Sequence, residues 1–117
     1  MRQGELVFNG QEHFPTMIID PGTQVGDAVA HTGPARAGRG TDGQPLLGKV
    51  LKMESDGLGT VAVKGAGFAD LPSVGTLATG FQVLVVDGLG KAKVGAAGAG
   101  PHTLVNIGQA GTANVKL

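Results

Sequence analysis

The tetrapeptide Asp-Gly-Leu-Gly occurs twice in the chain, as residues 56–59 and again as residues 87–90. Each copy follows an apolar run and precedes a short alternating one, Thr-Val-Ala-Val after the first and Lys-Ala-Lys-Val after the second. An Asp-Gly pair between two such runs is typical of a β-hairpin, because glycine adopts the positive φ angles that tight turns need. The two copies therefore predict two hairpins of one compact barrel, with Asp56 and Asp87 as turn formers.

Further short strands are predicted on both sides of these hairpins, at a spacing of about 8 to 12 residues. Residues 81–86 are apolar on both faces, which favours a central strand covered on both sides. Residues 103–107 and 112–117 predict the last two strands. Residues 46–54 fit a helix or a strand, and Gly48 and the turn that follows favour a strand. We therefore expect an all-β fold: a small β-barrel or β-sandwich of eight to ten short strands, with an extended N-terminal arm.

The composition limits the core and the classes of partner. The 117 residues, enough for one domain, include 22 glycines without a collagen-like period, and only four aromatic residues, all phenylalanine. Aliphatic side chains and alanine must therefore form most of the core. A net charge of zero gives no field for nucleic acid or acidic membranes. The absence of cysteine excludes disulfides and thiolate metal sites.

Neither a transmembrane helix nor a signal peptide is expected from the sequence. No apolar run is long enough to cross a bilayer as a helix, and residues 1–5 lack the apolar core of a signal peptide. We therefore expect a chain that is made in a cytoplasm and is used there or assembled there into something larger.

Residues 1–24 predict an N-terminal arm or a first hairpin, and residues 25–117 predict the β-domain. Two apolar runs lie in the first segment, one formed by Leu6, Val7 and Phe8 and one that begins at Phe14, and Pro15 makes the second run an edge strand or an extended arm. The arm could form an ordinary hairpin or pack on a neighbouring chain. Residues 32–45 predict a long mobile loop that exposes two arginines, Arg36 and Arg39.

Two motifs could indicate a bound cofactor. Residues 38–43 match the dinucleotide pattern G-x-G-x-x-G, but that site needs a helix after the loop, and Pro45 and a predicted strand follow here. Lys52-Met53 is similar to the modified lysine of biotin carrier domains. Those domains place the lysine at a hairpin tip, whereas Lys52 falls within a predicted strand, where a lysine extends from the sheet face into solvent. Neither motif predicts a cofactor.

The remaining polar residues show no catalytic pattern. His13, His31 and His102 lack metal-ligand spacing, and neither serine, Ser55 or Ser73, lies in a nucleophile motif. We expect no catalytic residues, no metal and no cofactor, and we interpret the chain as a protein that is not an enzyme.

The order of the strand motifs resembles that of the capsid decoration (cement) proteins of tailed bacteriophages. In that group a G-D-x-V strand, a V-x-V-x-G strand and a hairpin ending in aspartate and Gly-Lys recur in order. The matching residues, in chain order, are Gly26-Asp27-Ala28-Val29, Leu47-Gly48-Lys49-Val50, Gly59-Thr60-Val61-Ala62-Val63-Lys64-Gly65, Gly80-Phe81-Gln82-Val83-Leu84-Val85-Val86-Asp87, and a closing strand at residues 112–117. The resemblance covers about three-quarters of the chain and does not extend to positions 1–24.

The resemblance implies a structural role on the outside of a virion. Such proteins bind the outer surface of an expanded head, commonly as homotrimers, and stabilise it by bridging capsomers. The implied partner is the major capsid protein, with assembly in the host cytoplasm and no role for nucleic acid or a membrane. For the capsid or oligomer interface we expect the N-terminal apolar residues and the loop arginines, Leu6, Val7, Phe8, Phe14, Arg36 and Arg39. The alternative is a small β-barrel carrier or ligand-binding module.

Overall fold

A computed structural model describes residues 14–117, which form ten β-strands and no helix. The described part of the chain therefore contains no helix long and apolar enough to cross a membrane. The expected all-β fold with eight to ten short strands is confirmed. The strands are β1 (Thr16–Ile19), β2 (Ala28–Gly33), β3 (Arg36–Gly38), β4 (Gly48–Met53), β5 (Leu58–Val63), β6 (Phe68–Pro72), β7 (Gly80–Val86), β8 (Ala92–Val94), β9 (His102–Gln109) and β10 (Thr112–Lys116).

The first five strands form a closed barrel in the order β1-β3-β2-β4-β5. Strand β1 closes the barrel, because it pairs in parallel with β3 on one side and antiparallel with β5 on the other. The interior is small and aliphatic, with Val29, Val50 and Val61 fully buried beside Met17 and Ile19. Valine and isoleucine suit this position because their branched side chains pack well on a pleated surface.

The last five strands form an antiparallel sheet in the order β6-β10-β9-β7-β8. One face of this sheet packs on the barrel and forms a second core, which includes Leu71, Leu84 and Val115 from the sheet and Ala28 and Ala62 from the barrel. The alanines on the barrel side allow the two layers to approach closely. No phenylalanine is among the buried hydrophobic residues of the described chain, so aliphatic side chains form both cores, as the composition predicted.

Backbone hydrogen bonds also join the barrel to the second sheet. The segment before β4 lies along the second half of β7, where the Leu46 amide donates to the Leu84 carbonyl (3.2 Å) and the Val86 amide to the Gln44 carbonyl (2.9 Å). At the start of β2, the Ala28 amide donates to the Gly90 carbonyl (2.9 Å). Backbone bonds at these two places hold the two sheets in one orientation.

Both Asp-Gly pairs lie in hairpin turns, as predicted, and Leu58 and Gly59 of the first copy already belong to β5. The first joins β4 to β5, where the Asp56 carboxylate accepts a hydrogen bond from the Leu58 amide (3.1 Å). The second joins β7 to β8, where the Asp87 carboxylate accepts from the amides of Leu89 (2.7 Å) and Lys91 (3.0 Å). The glycine after each aspartate has a positive φ, 87° in the first turn and 85° in the second. The two aspartates are thus turn formers.

The expectation that both hairpins belong to one barrel is wrong. The β4–β5 hairpin is part of the barrel, whereas the β7–β8 hairpin forms one edge of the second sheet. The identical turn sequences specify only the local hairpin. The pairing of each hairpin with more distant strands depends on its flanking residues, which differ between the two copies.

Two segments that the sequence assigned to an arm or first hairpin and to a mobile loop contribute strands to the barrel. Residues 16–19, assigned to the arm or first hairpin, form β1, which is paired on both sides and is therefore not an edge strand. Pro15 does not disturb this strand because it lies just before it. Residues 32–45, predicted as a mobile loop, include β3, whose Ala37 is fully buried. Ala37 and Gly38 are small, which permits β3 to lie between β1 and β2. The glycine-rich sequence around β3 shows no alternation from which a strand could be predicted.

Candidate interaction surface

The two arginines expected in an exposed contact loop both form ion pairs within the barrel. Arg36, in β3, donates to the Asp20 carboxylate at 3.0 Å, and the Arg36 and Asp20 side chains are 40% and 28% exposed. Arg39, just after β3, donates to the Asp27 carboxylate at 2.7 Å, and here the Arg39 and Asp27 side chains are only 32% and 12% exposed. Both pairs join β3 to the segments that flank it. The interface role of these arginines stays a prediction.

The Asp27 carboxylate organises the more buried of the two pairs. Besides Arg39, it accepts a hydrogen bond from the Gln24 amide (2.8 Å). The glycine that ends the second Asp-Gly-Leu-Gly segment lies against it, and a Cβ on Gly90 would come within 2.7 Å of a carboxylate oxygen of Asp27. The hydrogen bond to Asp27 raises the pKa of Arg39; burial opposes this, and the charges of Asp27 and Asp87 add to the rise. Arg39 therefore remains charged, and the Arg39–Asp27 pair joins the segments after β3 and before β2 and packs against Gly90 of the β7–β8 turn.

All three phenylalanines of the described chain lie on the surface. Phe14 is 41% exposed, Phe68 is 59% exposed and Phe81 is 73% exposed. Exposure of Phe81 contradicts the prediction that β7 is covered on both sides over its whole length; only its second half, Val83 to Val86, is buried. The fourth phenylalanine, Phe8, lies outside the described residues, as do Leu6 and Val7.

Two of the exposed phenylalanines belong to one row of cross-strand neighbours on the solvent face of the second sheet. Phe68 on β6 is opposite Lys116 on β10, Lys116 is opposite Leu104 on β9, and Leu104 is opposite Phe81 on β7. Directly opposite residues share a face, with Cβ atoms about 5 Å apart. We call these four residues, Phe68, Lys116, Leu104 and Phe81, the aromatic row. It presents two exposed phenyl rings beside a half-buried leucine and a single lysine.

Beside the aromatic row on the second sheet is a polar row whose side chains are hydrogen-bonded to one another. Asn114 is directly opposite Asp70, whereas Asn106 is the extra residue at a β-bulge in β9, next to Ile107, which lies opposite Asn114. The side-chain amide Nδ2 of Asn114 donates to the Asp70 carboxylate (2.9 Å), and the side-chain Nδ2 of Asn106 donates to the side-chain Oδ1 of Asn114 (3.1 Å). These bonds run across β6, β10 and β9 and satisfy the side chains among themselves. The contrast with the aromatic row is chemical: the polar row has its partners within the sheet, whereas the phenyl rings of the aromatic row remain exposed.

One end of the aromatic row continues into an apolar groove between the sheet and the barrel. The groove has a volume of about 540 Å³. The sheet contributes Phe81 and Leu104, and the barrel side contributes Leu47, Val63 and Lys64. Phe68, at the far end of the row, does not line it. A concave apolar surface of this volume is of the size that binds small molecules or peptide side chains.

The residues considered for cofactors and metals do not form a site in the described chain. Lys52 lies within β4, as predicted, is exposed, and pairs with Glu54 at 3.2 Å. No helix follows residues 38–43 to complete a dinucleotide site. Among residues 14–117, no group of three or more His, Cys, Asp or Glu side chains could hold a metal ion. His31 and His102 are both exposed, and His13 lies outside the described residues.

Comparison with known protein families and with curated proteins finds no family model and no curated protein that matches this chain. The aromatic row is the feature that sequence reasoning missed. The phenylalanines were visible, but the cross-strand register that brings Phe68 and Phe81 onto one face joins strands that are distant in sequence. The one local signal of the aromatic row was the alternation within β6, where the buried Leu71 lies on the opposite face from Phe68.

Proposed function

We propose that this chain is a structural capsid decoration protein, which binds the outer surface of an expanded phage head and stabilises it by bridging capsomers. The observation that carries the proposal is the exposure of Phe14, Phe68 and Phe81 in a chain with no tryptophan, no tyrosine and only four phenylalanines. Aromatic side chains are enriched at protein interfaces and provide much of the binding energy there. A chain that keeps all three aromatic residues of its described part outside its cores has the surface of a protein that binds another protein.

The resemblance in strand motifs supplies the class of partner, the major capsid protein. Zero net charge supports a protein partner, since the chain lacks the excess of basic residues that nucleic acid attracts. The cores of aliphatic residues and alanine support a chain that gains stability on assembly, because a partner that binds only the folded state stabilises that state by mass action. This role needs neither catalysis nor a cofactor.

The second sheet is the proposed docking element. In the described chain β6 and β8 are its outermost strands, and Phe68 of the aromatic row lies on β6. An outermost strand can pair with a strand of another chain, with pockets for alternate side chains giving specificity. In the proposed assembly three copies surround a symmetry axis of the head exterior, and the aromatic rows contact capsid subunits together with the N-terminal apolar residues.

The proposal is tested with purified protein and heads of the virus that encodes the chain. Expanded and unexpanded heads lacking the protein are each mixed with an excess of it, sedimented, and assayed for bound copies. We expect binding to expanded heads at a fixed number of copies, with weaker binding to unexpanded heads. Absence of binding to expanded heads, or binding that never saturates, would contradict the proposal.

A further inference from the structure

The groove at the end of the aromatic row has an apolar floor and a basic rim. Leucine, valine and phenylalanine side chains form the floor, and Lys64, His102 and Lys116 lie among its lining residues. No acidic side chain lines it among the residues that the structure describes. An occupant of complementary chemistry therefore presents apolar side chains with carboxylates beside them.

The turn end of the β4–β5 hairpin has this complementary chemistry. We call residues 53–58 the hairpin tip, and every one of them is exposed. Its first and last residues, Met53 and Leu58, are apolar side chains that are 37% and 36% exposed. Between them Glu54 and Asp56 provide two carboxylates. The hairpin tip thus combines apolar and acidic side chains on a convex surface.

The charge near the hairpin tip distinguishes it from the other Asp-Gly turn. One lysine, Lys52, lies close to the tip and pairs with Glu54 at 3.2 Å. The Asp56 carboxylate remains, so this end of the hairpin has an excess of negative charge. In the β7–β8 turn a single carboxylate, Asp87, is followed by Lys91 and Lys93. Of these two turns, the β4–β5 turn is the one that complements a basic rim.

The hairpin tip cannot reach the groove of its own chain. It includes the start of β5, whereas Val63 and Lys64, at the other end of this strand, line the groove. The six steps from Leu58 to Lys64 span about 20 Å of extended strand. Pairing with β1 on one side and with β4 on the other holds β5 in this extended form. The hairpin tip that can enter the groove is therefore that of a second copy.

We propose that the hairpin tip of one copy occupies the groove of a second copy, with its two apolar side chains on the floor and the Asp56 carboxylate facing the lysines of the rim. The groove volume of about 540 Å³ is in the range that takes a drug-sized ligand, and it accommodates two apolar side chains. The contact joins two different surfaces, so it can repeat from copy to copy around an axis and close into a ring. It covers Phe81 and leaves Phe68 exposed. The contact forms between free copies and does not rest on the proposed function.

Tryptophan fluorescence tests the contact, because the chain contains no tryptophan or tyrosine. A trace amount of the full chain carrying Leu58→Trp is mixed with increasing amounts of unmodified chain, the acceptor, which does not contribute to tryptophan emission. We expect a saturable blue shift and several-fold weaker quenching by acrylamide, because the probe enters the groove of the acceptor. The matched control is Leu89→Trp, in the same tetrapeptide of the other turn, whose emission should stay unchanged.

Acceptor variants test whether the groove is the surface that binds the probe. With a Phe81→Asp acceptor the same shift should require roughly 30-fold more protein, as expected for loss of an aromatic anchor. A Phe68→Asp acceptor, altered at the other end of the aromatic row and outside the groove, should match the unmodified chain. A Leu58→Lys acceptor should still bind the probe, because its groove is intact although its own hairpin tip is altered.

Circular dichroism establishes that each variant is folded; should Phe81→Asp unfold the chain, Lys64→Glu on the same rim replaces it. Met53→Trp serves as a second probe of the hairpin tip. Unchanged emission of both probes up to about 1 mM acceptor would overturn the proposal, and so would a blue shift without any acceptor. Equal potency of the Phe81→Asp and Phe68→Asp acceptors, or no binding to the Leu58→Lys acceptor, would also overturn it.

Discussion

Replacing Arg39 by glutamine should lower the free energy of unfolding by about 2 kcal/mol, whereas the same replacement at Arg36 should lower it by less than about 1 kcal/mol. Glutamine keeps most of each aliphatic stem, so the comparison isolates the charge. Breaking a fully buried ion pair costs about 3 to 5 kcal/mol, because the remaining charge is left without its partner. The Arg39 side chain is 32% exposed, which reduces the value for its pair with Asp27. The Arg36 pair is more exposed on both sides and is a surface salt bridge.

The assay is urea or thermal unfolding of the two variants beside the unmodified chain. For a chain of this length, about 1 kcal/mol corresponds to roughly 4 °C in Tm, so we expect a fall of about 8 °C for Arg39→Gln and less than about 4 °C for Arg36→Gln. A double-mutant cycle with Asp27→Asn measures the coupling between the partners. Equal effects of the two arginine replacements, or no coupling between Arg39 and Asp27, would refute this reasoning.

Two further predictions concern the core and the turns. Leu71→Ala empties a fully buried site in the core between barrel and sheet and should lower the free energy of unfolding by about 3 kcal/mol. Leu89→Ala, at a residue that is 72% exposed, should change it by less than about 0.5 kcal/mol. Equal effects of the two replacements in urea unfolding would contradict the burial of this core. Asp87→Ala removes two turn hydrogen bonds and Asp56→Ala removes one, so we expect losses of about 2 and about 1 kcal/mol. The reverse order in thermal unfolding would argue against the turn role.

Local features of the fold could be predicted from the sequence. The Asp-Gly turns, the strand character of β4, the final pair of strands and the aliphatic cores all follow from residue alternation and from glycine at positions of positive φ. These signals act between residues that are close in sequence. They are therefore sufficient for hairpins, such as β4–β5, and for the fold class.

Features that depend on distant pairing could not be predicted. Strand β3 is very short, and its parallel pairing with β1, which lies well before it in the sequence, leaves no local pattern. The assignment of the second hairpin to a separate sheet depends on contacts with β9. Exposure of Phe81 depends on β7 being covered only along its second half, which alternation alone cannot distinguish from full cover. The aromatic row could not be predicted either, because it depends on the register of four strands.

The most direct test of the central claim, that outward-facing aromatic residues attach this chain to a capsid, is the disruption temperature of expanded heads with and without the protein. We expect the unmodified chain and Leu89→Ser, a control at an exposed leucine outside the aromatic row, to raise that temperature equally. Phe68→Ser should require roughly 30-fold more protein for the same effect, since loss of an interface aromatic costs about 2 kcal/mol. An unchanged disruption temperature with the unmodified chain, or equal potency of Phe68→Ser, would contradict the account.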